Sequence, residues 1–357
     1  MISVSLKNKL LRFLTKKKTT SSKFSNVQKI LFLRYDRIGD MVLTTPVFRE
    51  LKRERPNISI SVLCSKSNKD IIKDNPYIDH IFLNAKNSFL VDLPTLLKLR
   101  KKKFDALIEF DHSVVAHAII RIKIINPKLI ISPEKSGRYG VPGKDLKLYD
   151  IYTPKKENEH LSKTWLRTIE PFGVFSDNTK YDLFLSKNCE SKALNFLKKN
   201  HDKFKIGINL EGAVKGKKIK FDELNEICEE LSRISNSQIF ILSSPSNYID
   251  VENWVLEKKL PGVSQIYLTK SILDISAIIK HLNLVISPDT SIVHIASVYD
   301  VPIISIHEDN LDSYKLFAPQ TKIHRTVFSK DKKSLDGYSI KNLINYTKEI
   351  MHEINKM

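Results

Sequence analysis

The chain has 357 residues, of which 41% are hydrophobic and 28% charged, a globular composition with room for two domains. Its formal net charge of +19 favours anionic partners: a nucleotide, a nucleic acid or an acidic membrane surface. No run of about 18 apolar residues occurs, so the sequence predicts no membrane-spanning helix. Cys64, Cys189 and Cys228 lie far apart without a CxxC pair, which argues against a disulfide framework or a zinc site and fits a reducing cytoplasm.

Residues 1–26 form a basic tail ahead of the first strand-like run. Residues 1–35 hold nine Lys or Arg and no Asp or Glu, and apolar side chains such as Leu10, Leu11 and Phe13 lie among the cations. This pattern predicts a short basic amphipathic helix on an anionic leaflet. A signal peptide is not expected, because no continuous apolar region or small-residue cleavage site follows.

The predicted first domain, residues 27–175, alternates short apolar runs with helical patterns. The runs are rich in Ile, Val, Leu and Phe and too short for helices, so they predict strands. They are KILFLRY (29–35), ISISVLCS (58–65), HIFLN (80–84), FDALIEF (104–110) and KLIIS (128–132). Helices are predicted at PVFRELKRER, LPTLLKLRKKK and HLSKTWLRTIEPFGV, while the polar stretch 132–159 shows little periodicity. A linker is expected near residues 171–182.

The predicted second domain, residues 176–325, repeats this alternation, and residues 326–357 are expected to form a closing C-terminal helix. Strands are predicted at KIGINLE (205–211), QIFILSS (238–244), QIYLT (265–269), LNLVISP (282–288) and VPIISIH (301–307). Helical patterns separate them. Two such halves predict an α/β protein with two Rossmann-like domains facing a cleft.

The segment RYDRIGDMVLTTP (34–46) follows the first predicted strand with a dense group of charges. It lacks the GxGxxG fingerprint and the P-loop pattern, and its single Gly39 permits close backbone approach or a positive φ. Thr45 and Pro46 fit an N-cap followed by the first helical residue, so the helix could begin there. Asp40 then either caps a helix, pairs with Arg37, or acts chemically; a helix N-terminus would favour its charged form and make it a weak base.

Two segments of the second half fit phosphate binding. In NLEGAVKGKKIKF (209–221), glycines and lysines separate a strand from a helix, so backbone N–H groups and ammonium groups are available to an anion. In SPDTSIVHIA (287–296), Thr290 or Ser291 can cap a helix that begins directly after a strand. A solvated lysine loop and a capped core helix with a hydrogen-bonded His294 are the alternatives.

Taken together, these segments resemble glycosyltransferase family 9, the heptosyltransferases of the bacterial lipopolysaccharide core. The resemblance covers about residues 29–306 and implies the GT-B architecture. It also implies an inverting, metal-independent transfer of heptose from ADP-heptose to a lipopolysaccharide or lipooligosaccharide core acceptor. No cofactor or metal is implied. A phosphorylated glycolipid acceptor implies a cytoplasmic enzyme, peripheral on the inner face of the cytoplasmic membrane and attached through its basic N-terminus.

The resemblance also implies roles for individual residues. Asp40 matches the general base, with Arg37 and Gly39 beside the acceptor. The donor phosphates and nearby groups of the donor would be held by a set that matches two family segments: Gly212, Ala213, Lys217, Asp289, Thr290, Ser291 and His294. This sequence departs from the family in three places: Ser291 replaces a common Gly, His307-Glu308 replaces a Gly-Pro turn, and SSPSNY (243–248) lacks an acidic residue that some members use for the ribose.

Three other functions remain open from the sequence. The first is a transferase of the same fold that uses another nucleotide sugar, or a capsule or other glycan acceptor. The second is a non-catalytic protein that binds nucleotide sugars or anionic lipid. A nucleic-acid-binding protein is disfavoured, because no basic-helix or RNA-binding motif accompanies the high pI.

Overall fold

The computed structural model describes residues 27–84, 89–138, 141–200, 202–212, 217–234 and 236–356. The chain divides into two compact units, Met1–Tyr181 and Asp182–Met357, called here the first and the second unit. The predicted basic tail, residues 1–26, lies outside the described residues. No helix in the described part of the chain is long and apolar enough to cross a membrane.

The first unit is built around six strands, with helices on the crossover connections. Its strands are β1 (Lys29–Arg34), β2 (Ser59–Ser65), β3 (His80–Asn84), β4 (Ala106–Glu109), β5 (Leu129–Pro133) and β6 (Ile151–Thr153). Its helices are α1 (Ile38–Glu54), α2 (Phe89–Lys101), α3 (Ala116–Ile125) and α4 (Leu161–Leu166), which continues as a 3-10 helix over Arg167–Phe172.

The second unit has the same kind of alternation. Its strands are β7 (Phe204–Asn209), β8 (Ser237–Leu242), β9 (Val263–Gln265), β10 (Leu284–Pro288), β11 (Ile303–His307) and β12 (His324–Phe328). Its helices are α5 (Lys187–Leu197), α6 (Phe221–Ser232), α7 (Tyr248–Lys258), α8 (Ile272–Ile279), α9 (Ser291–Val298), α10 (Leu311–Phe317) and α11 (Ile340–Asn355).

Both sheets are parallel and have the Rossmann strand order. The first sheet runs β3-β2-β1-β4-β5-β6 and the second β12-β11-β10-β7-β8-β9. Most residues of β1, β4, β8 and β10 are buried, as expected for strands covered on both faces by helices. In each sheet the strand order reverses between the first and fourth strands of the unit, β1/β4 and β7/β10. Ligands bind at the carboxyl ends of strands at such a point.

The predicted α/β fold with two Rossmann-like halves is confirmed. The predicted runs in both halves became strands, although β9 lies two residues before its predicted start. Two strands were missed: β6 lies in the polar stretch 132–159, and β12 runs into the first residues of the segment predicted as a closing helix. Both are outermost in their sheets and less apolar, so their sequences carry a weak strand signal.

Residues 176–181 belong to the first unit, whereas the predicted second domain began at residue 176. The guanidinium of Arg49, buried on α1, donates to the carbonyl oxygens of Lys180 at 2.6 Å and Asn178 at 2.9 Å. The hydroxyl of Ser176 donates to the Glu50 carboxylate at 2.9 Å. These bonds attach the segment to α1, and the chain passes into the second unit only after it.

Residues 326–357, predicted to form a closing helix, contain the end of β12 and helix α11, and both pack into the second unit. Val327 of β12 and Leu343 and Ile350 of α11 share one buried cluster with Ile208 of β7 and Ile286 of β10. Apolar residues at helical spacing along α11 supply this contact. The C-terminal helix is therefore part of the second unit's core.

Candidate functional site

In the first unit, the charged segment after β1 forms the start of α1. The helix begins at Ile38, with Arg37 as an N-cap that makes no side-chain capping bond, and Asp40 lies in the first turn. Gly39 is helical and buried, so the positive φ that its sequence allowed is not used. The structure thus places Arg37, Gly39 and Asp40 together at the carboxyl end of β1.

The prediction that the helix might begin at Thr45-Pro46 was wrong, since both residues lie inside α1. Pro46 has no N–H to donate to the carbonyl of Val42, which would normally accept it. The Thr45 hydroxyl donates to that carbonyl oxygen at 2.7 Å and so replaces the missing bond. This substitution lets the helix run through a proline that the sequence pattern presents as a helix start.

The Asp40 carboxyl has a raised pKa of about 6. Burial is the largest cause, and the negative charge of Asp36 adds to it, while Arg34 and Arg37 act in the opposite direction. The helix N-terminus was expected to make Asp40 a weak base. The structure reverses that expectation, because desolvation and a like charge outweigh the favourable end of the helix.

Arg34 holds the backbone around Asp40. Its Nε donates to the Thr44 hydroxyl at 2.9 Å, and that hydroxyl donates to the carbonyl oxygen of Asp40 at 2.7 Å. One terminal nitrogen of the guanidinium pairs with Asp36 at 2.8 Å, and the guanidinium carbon lies 3.9 Å from the ring centre of Trp165. Arg34 therefore links Asp36, the first turn of α1 and the ring of Trp165.

A second acidic group lies at the end of β4, the strand beside β1. The Glu109 carboxylate forms a buried ion pair with Lys135 at 2.5 Å and accepts from the Tyr149 hydroxyl at 2.9 Å and from the Asp111 amide at 2.7 Å. Burial opposes its charge, but Lys135 and these hydrogen bonds keep the pKa of Glu109 below the usual value. Burial and the Glu109 charge together raise the pKa of Asp111 to about 9. At neutral pH Glu109 is therefore ionised and Asp111 is protonated, so these two carboxyl groups together carry one negative charge.

His112 completes this edge of the first unit. Its ring lies parallel to Trp165 with centroids 5.9 Å apart. Burial, followed by the positive charges of Arg34, Lys155 and Lys135, lowers the pKa of His112 to about 3. The imidazole is therefore neutral at physiological pH.

In the second unit, the ends of β7 and β10 are tied together. The Asn209 side-chain amide donates to the hydroxyls of Ser287 at 2.9 Å and Thr290 at 3.4 Å, and to the carbonyl oxygen of Glu211 at 2.9 Å. Gly212 lies so close to the far end of its loop that a Cβ atom would stand 1.3 Å from the carbonyl oxygen of Lys217. Residue 212 can approach Lys217 this closely only because it has no side chain.

Helix α9 begins directly after β10, as the sequence predicted. Thr290 is its N-cap, and its hydroxyl accepts from the amide of Ile292 at 3.2 Å. Ser291 is the first helical residue, and His294 lies buried one turn further on. The amide of Asp289 donates to the Ile306 carbonyl of β11 at 3.0 Å, which fixes the turn before the cap.

Lys217 forms an ion pair with Glu308, the residue that follows β11. The neighbouring His307 is buried, and burial lowers its pKa although the charges of Asp289 and Glu308 act in the opposite direction. Lys217 also acts on the pKa of His307, so it lies at the same strand edge as Asp289. Glu308, one of the two residues that replace a Gly-Pro turn, thus supplies the acid that pairs with Lys217.

A pocket of about 150 Å³ opens beside this loop and is lined in part by Glu211, Lys218, Phe221 and Asn247. The Glu211 carboxylate accepts from the amide and hydroxyl of Ser244 at 3.2 and 2.6 Å and from Asn247 at 2.7 Å. The segment after β8, which has no acid of its own, therefore receives a carboxylate from the end of β7.

The structure brings the predicted site residues together within each unit. One group is Arg37, Gly39 and Asp40; the other is Gly212, Lys217, Asp289, Thr290, Ser291 and His294. Ala213 lies outside the described residues. Sequence reasoning missed Glu109, Asp111, Glu211 and Glu308 and left Arg34 and Asp36 without a role. Their common signal is position: each lies at or just after the carboxyl end of a strand next to a switch point.

Among the described residues, no group of three or more His, Cys, Asp or Glu side chains is arranged to hold a metal ion.

Comparison with known proteins identifies the family. The sequence pattern of glycosyltransferase family 9 (heptosyltransferase) matches residues 96–334, well over half of the chain. The chain belongs to glycosyltransferase family 9. It is thus a glycosyltransferase, and the resemblance noted in the sequence is confirmed. A relative in Escherichia coli K12, provisionally named lipopolysaccharide heptosyltransferase 4, is 24% identical over 77% of this chain and 72% of its own.

Solved structures of the family share the fold. A family 9 glycosyltransferase from Veillonella parvula gives a TM-score of 0.74 at 16% identity, covering 93% of this chain and 99% of that one. The E. coli heptosyltransferase WaaC, solved with ADP, gives 0.71 at 13% identity over 92% and 100% of the two chains. A structure of WaaC with ADP-2-deoxy-2-fluoro heptose gives 0.67 at 13% identity, over 90% and 99%.

Proposed function

We propose that this family 9 enzyme transfers heptose from ADP-heptose to a phosphorylated lipopolysaccharide or lipooligosaccharide core acceptor, with inversion and without a metal ion. The second unit binds the donor and the first unit the acceptor. WaaC, with the same fold, has been solved with ADP and with an ADP-heptose analogue, which supports an adenine diphosphate donor. The provisional name of the E. coli relative supports the acceptor class.

Asp40 acts as the general base in this proposal. An acceptor hydroxyl oxygen attacks the anomeric carbon of the heptose, the bond from that carbon to the ADP oxygen breaks, and the hydroxyl proton passes to the Asp40 carboxylate. A pKa near 6 leaves the carboxylate mostly ionised at neutral pH, yet gives it more basicity than an ordinary aspartate. Attack from the face opposite to the leaving group inverts the configuration.

The donor diphosphate is held by the strand ends of the second unit. The positive end of the α9 helix dipole and the ammonium of Lys217 offset the negative charge that grows on the leaving ADP. Glu211, fixed beside the pocket, is placed to accept hydrogen bonds from nucleoside hydroxyls. Asp289 orders the turn before the cap instead of facing the phosphates, since two negative charges would repel.

The observation that carries the proposal is the meeting of Lys217, Gly212 and the capped start of α9 at one switch point. A thermal-shift titration of the full chain with ADP-heptose, ADP-glucose, UDP-glucose and GDP-mannose tests it. We expect ADP-heptose to raise the melting temperature and the UDP and GDP sugars to leave it unchanged. The Lys217→Met variant should lose the shift, whereas Lys348→Met, at an exposed position on α11 of the same unit, should retain it.

A shift with a UDP or GDP sugar alone would replace ADP-heptose with another donor in the same fold. The absence of a shift with all four sugars would contradict donor binding by the second unit.

A further inference from the structure

Helix α2 of the first unit exposes large apolar side chains on one surface. Val91 is 64% exposed and Leu97 45%. Pro94 is exposed between Val91 and Leu97, so the apolar positions recur once per helical turn. Helix α2 packs on β3, the outermost strand of the sheet. Single exposed leucines need no explanation, but a row of this kind does.

The same surface is strongly basic. Lys98, Arg100 and Lys101 lie in the last turns of α2 and are exposed. The ammonium groups of Lys98 and of Lys102, just beyond the helix, lie 5.9 and 5.7 Å from the ring centre of Phe82. Their stems therefore follow apolar surface while their charges remain in solvent, the arrangement that long basic side chains adopt at a membrane interface. The α2 surface denotes Val91, Pro94, Leu97, Lys98 and Lys101.

The one acidic residue of α2 faces inward. Asp92 is buried and forms an ion pair with Arg121 of α3, and the guanidinium carbon of Arg121 lies 4.8 Å from the ring centre of Tyr35. Tyr35 directly precedes Asp36 in the charged segment that leads to Asp40. The only acidic side chain of α2 is therefore neutralised inside the protein. The Asp92–Arg121 ion pair and the Arg121–Tyr35 contact connect the buried side of α2 to the candidate acceptor site.

We propose that the α2 surface docks the first unit onto an anionic lipid bilayer. The apolar side chains enter the headgroup region, and the lysines lie against lipid phosphates. Charge complementarity selects this occupant: a symmetric contact between two copies would bring the same cations face to face. The inference rests on the proposed function, in which the acceptor is a lipid-linked anionic sugar, and specifies the surface through which the enzyme meets that substrate.

Vesicle binding by the full chain tests the α2 surface. Wild-type protein, a Val91→Glu/Leu97→Glu variant and an Ile249→Glu/Leu256→Glu control are sedimented with phosphatidylglycerol-containing vesicles and with pure phosphatidylcholine vesicles. The control matches the change in charge and polarity, since Ile249 and Leu256 are 60% and 63% exposed on α7 of the second unit. Every protein keeps the basic residues 1–26, so their contribution is the same throughout.

We expect wild-type protein and the α7 control to bind the phosphatidylglycerol vesicles equally, within about twofold. The α2 variant should partition about tenfold or more weakly, because two anions now oppose the lipid charge. A Val91→Ser/Leu97→Ser variant, which leaves the charge unchanged, should lose part of the binding. The proposal is overturned if wild-type protein does not bind, if the α2 variant binds like wild type, or if the α7 control loses as much.

The vesicle experiment needs neither a nucleotide sugar nor transfer, so its result is separate from that of the donor titration. Loss of vesicle binding in the α2 variant with an unchanged ADP-heptose shift would support both proposals. If the protein bound vesicles but no nucleotide sugar raised its melting temperature, the heptosyltransferase proposal would be contradicted and the α2 docking proposal would be supported.

Discussion

The two units have the same strand order but fill the switch point in different ways. In the first unit, buried ionisable groups crowd the ends of β1 and β4, and the pKa values of Asp40 and Asp111 are raised to about 6 and about 9. In the second unit, a glycine loop, a threonine cap and a lysine occupy the ends of β7 and β10. The first edge holds ionisable groups with shifted pKa values, which suits proton transfer, whereas the second carries features that suit an anion.

The largest expected effect comes from removing the base of the first unit. Asp40→Asn keeps the shape of the side chain but cannot accept the acceptor's proton, so kcat should fall by about 10² to 10⁴. In the proposed function the donor binds to the second unit, so the ADP-heptose thermal shift should not change. Asp74→Asn, an exposed acid of the same unit, serves as the control. An active Asp40→Asn enzyme would remove the contrast between the two edges.

Next in size is the loss of the loop lysine in the second unit. Lys217→Met should lower kcat/KM by about 10², because the charge on the departing diphosphate loses a partner. Steady-state kinetics over a range of ADP-heptose concentrations measures the loss, with Lys348→Met as the matched variant. The pH dependence should keep its shape, since Lys217 does not carry the proton. A changed acid limb would show that the two edges are not separable.

A smaller effect is expected in the pH–rate profile. Because Asp40 must be ionised to accept a proton, kcat/KM should fall below about pH 6, by a factor approaching ten for each further pH unit. The Asp36 charge raises the pKa of Asp40, so Asp36→Asn should move this acid limb to lower pH. Asp36→Glu retains the charge and should move it less. An acid limb near pH 4 in the wild-type enzyme would contradict the assigned role of burial.

The smallest expected effect concerns stability. Asp111 keeps its proton up to about pH 9 when folded but releases it near pH 4 when unfolded, so its contribution to stability falls as pH rises between these values. Asp111→Asn cannot ionise and should remove this loss. Thermal unfolding should give equal melting temperatures near pH 4 and a variant a few degrees more stable at pH 8. A variant less stable than wild type at pH 8 would count against a neutral Asp111.

Much of the fold could be predicted from the chain because parallel strands buried on both faces are runs of Ile, Val, Leu and Phe. HIFLN became β3 without a shift, and the segment SPDTSIVHIA became the end of β10 and the capped start of α9. The predictions failed where local signals were ambiguous. Thr45-Pro46 looks like a helix start, and only the hydrogen bond from Thr45 to the Val42 carbonyl shows why the helix continues through it.

The candidate site was predicted in part for a similar reason. Asp40 and Lys217 stand in local patterns, so the sequence could single them out. Glu211 and Glu308 stand in no pattern, because their partners Ser244, Asn247 and Lys217 are brought to them by the order of the strands in the sheet. Contacts of this kind join residues that are far apart in the chain and are invisible to a reading of adjacent positions.

The sequence by itself determined the two-part α/β fold and the strand-to-helix junctions at which charged and small residues collect. It also determined that an aspartate follows Gly39 and that a threonine precedes α9. Only the tertiary structure decided what these groups can do. Burial and the Asp36 charge raise the pKa of Asp40, and Gly212 can lie close to Lys217 because it has no side chain. The reason is physical: desolvation, charge and close approach depend on everything within a few ångströms, and that neighbourhood exists only after the sheet has formed.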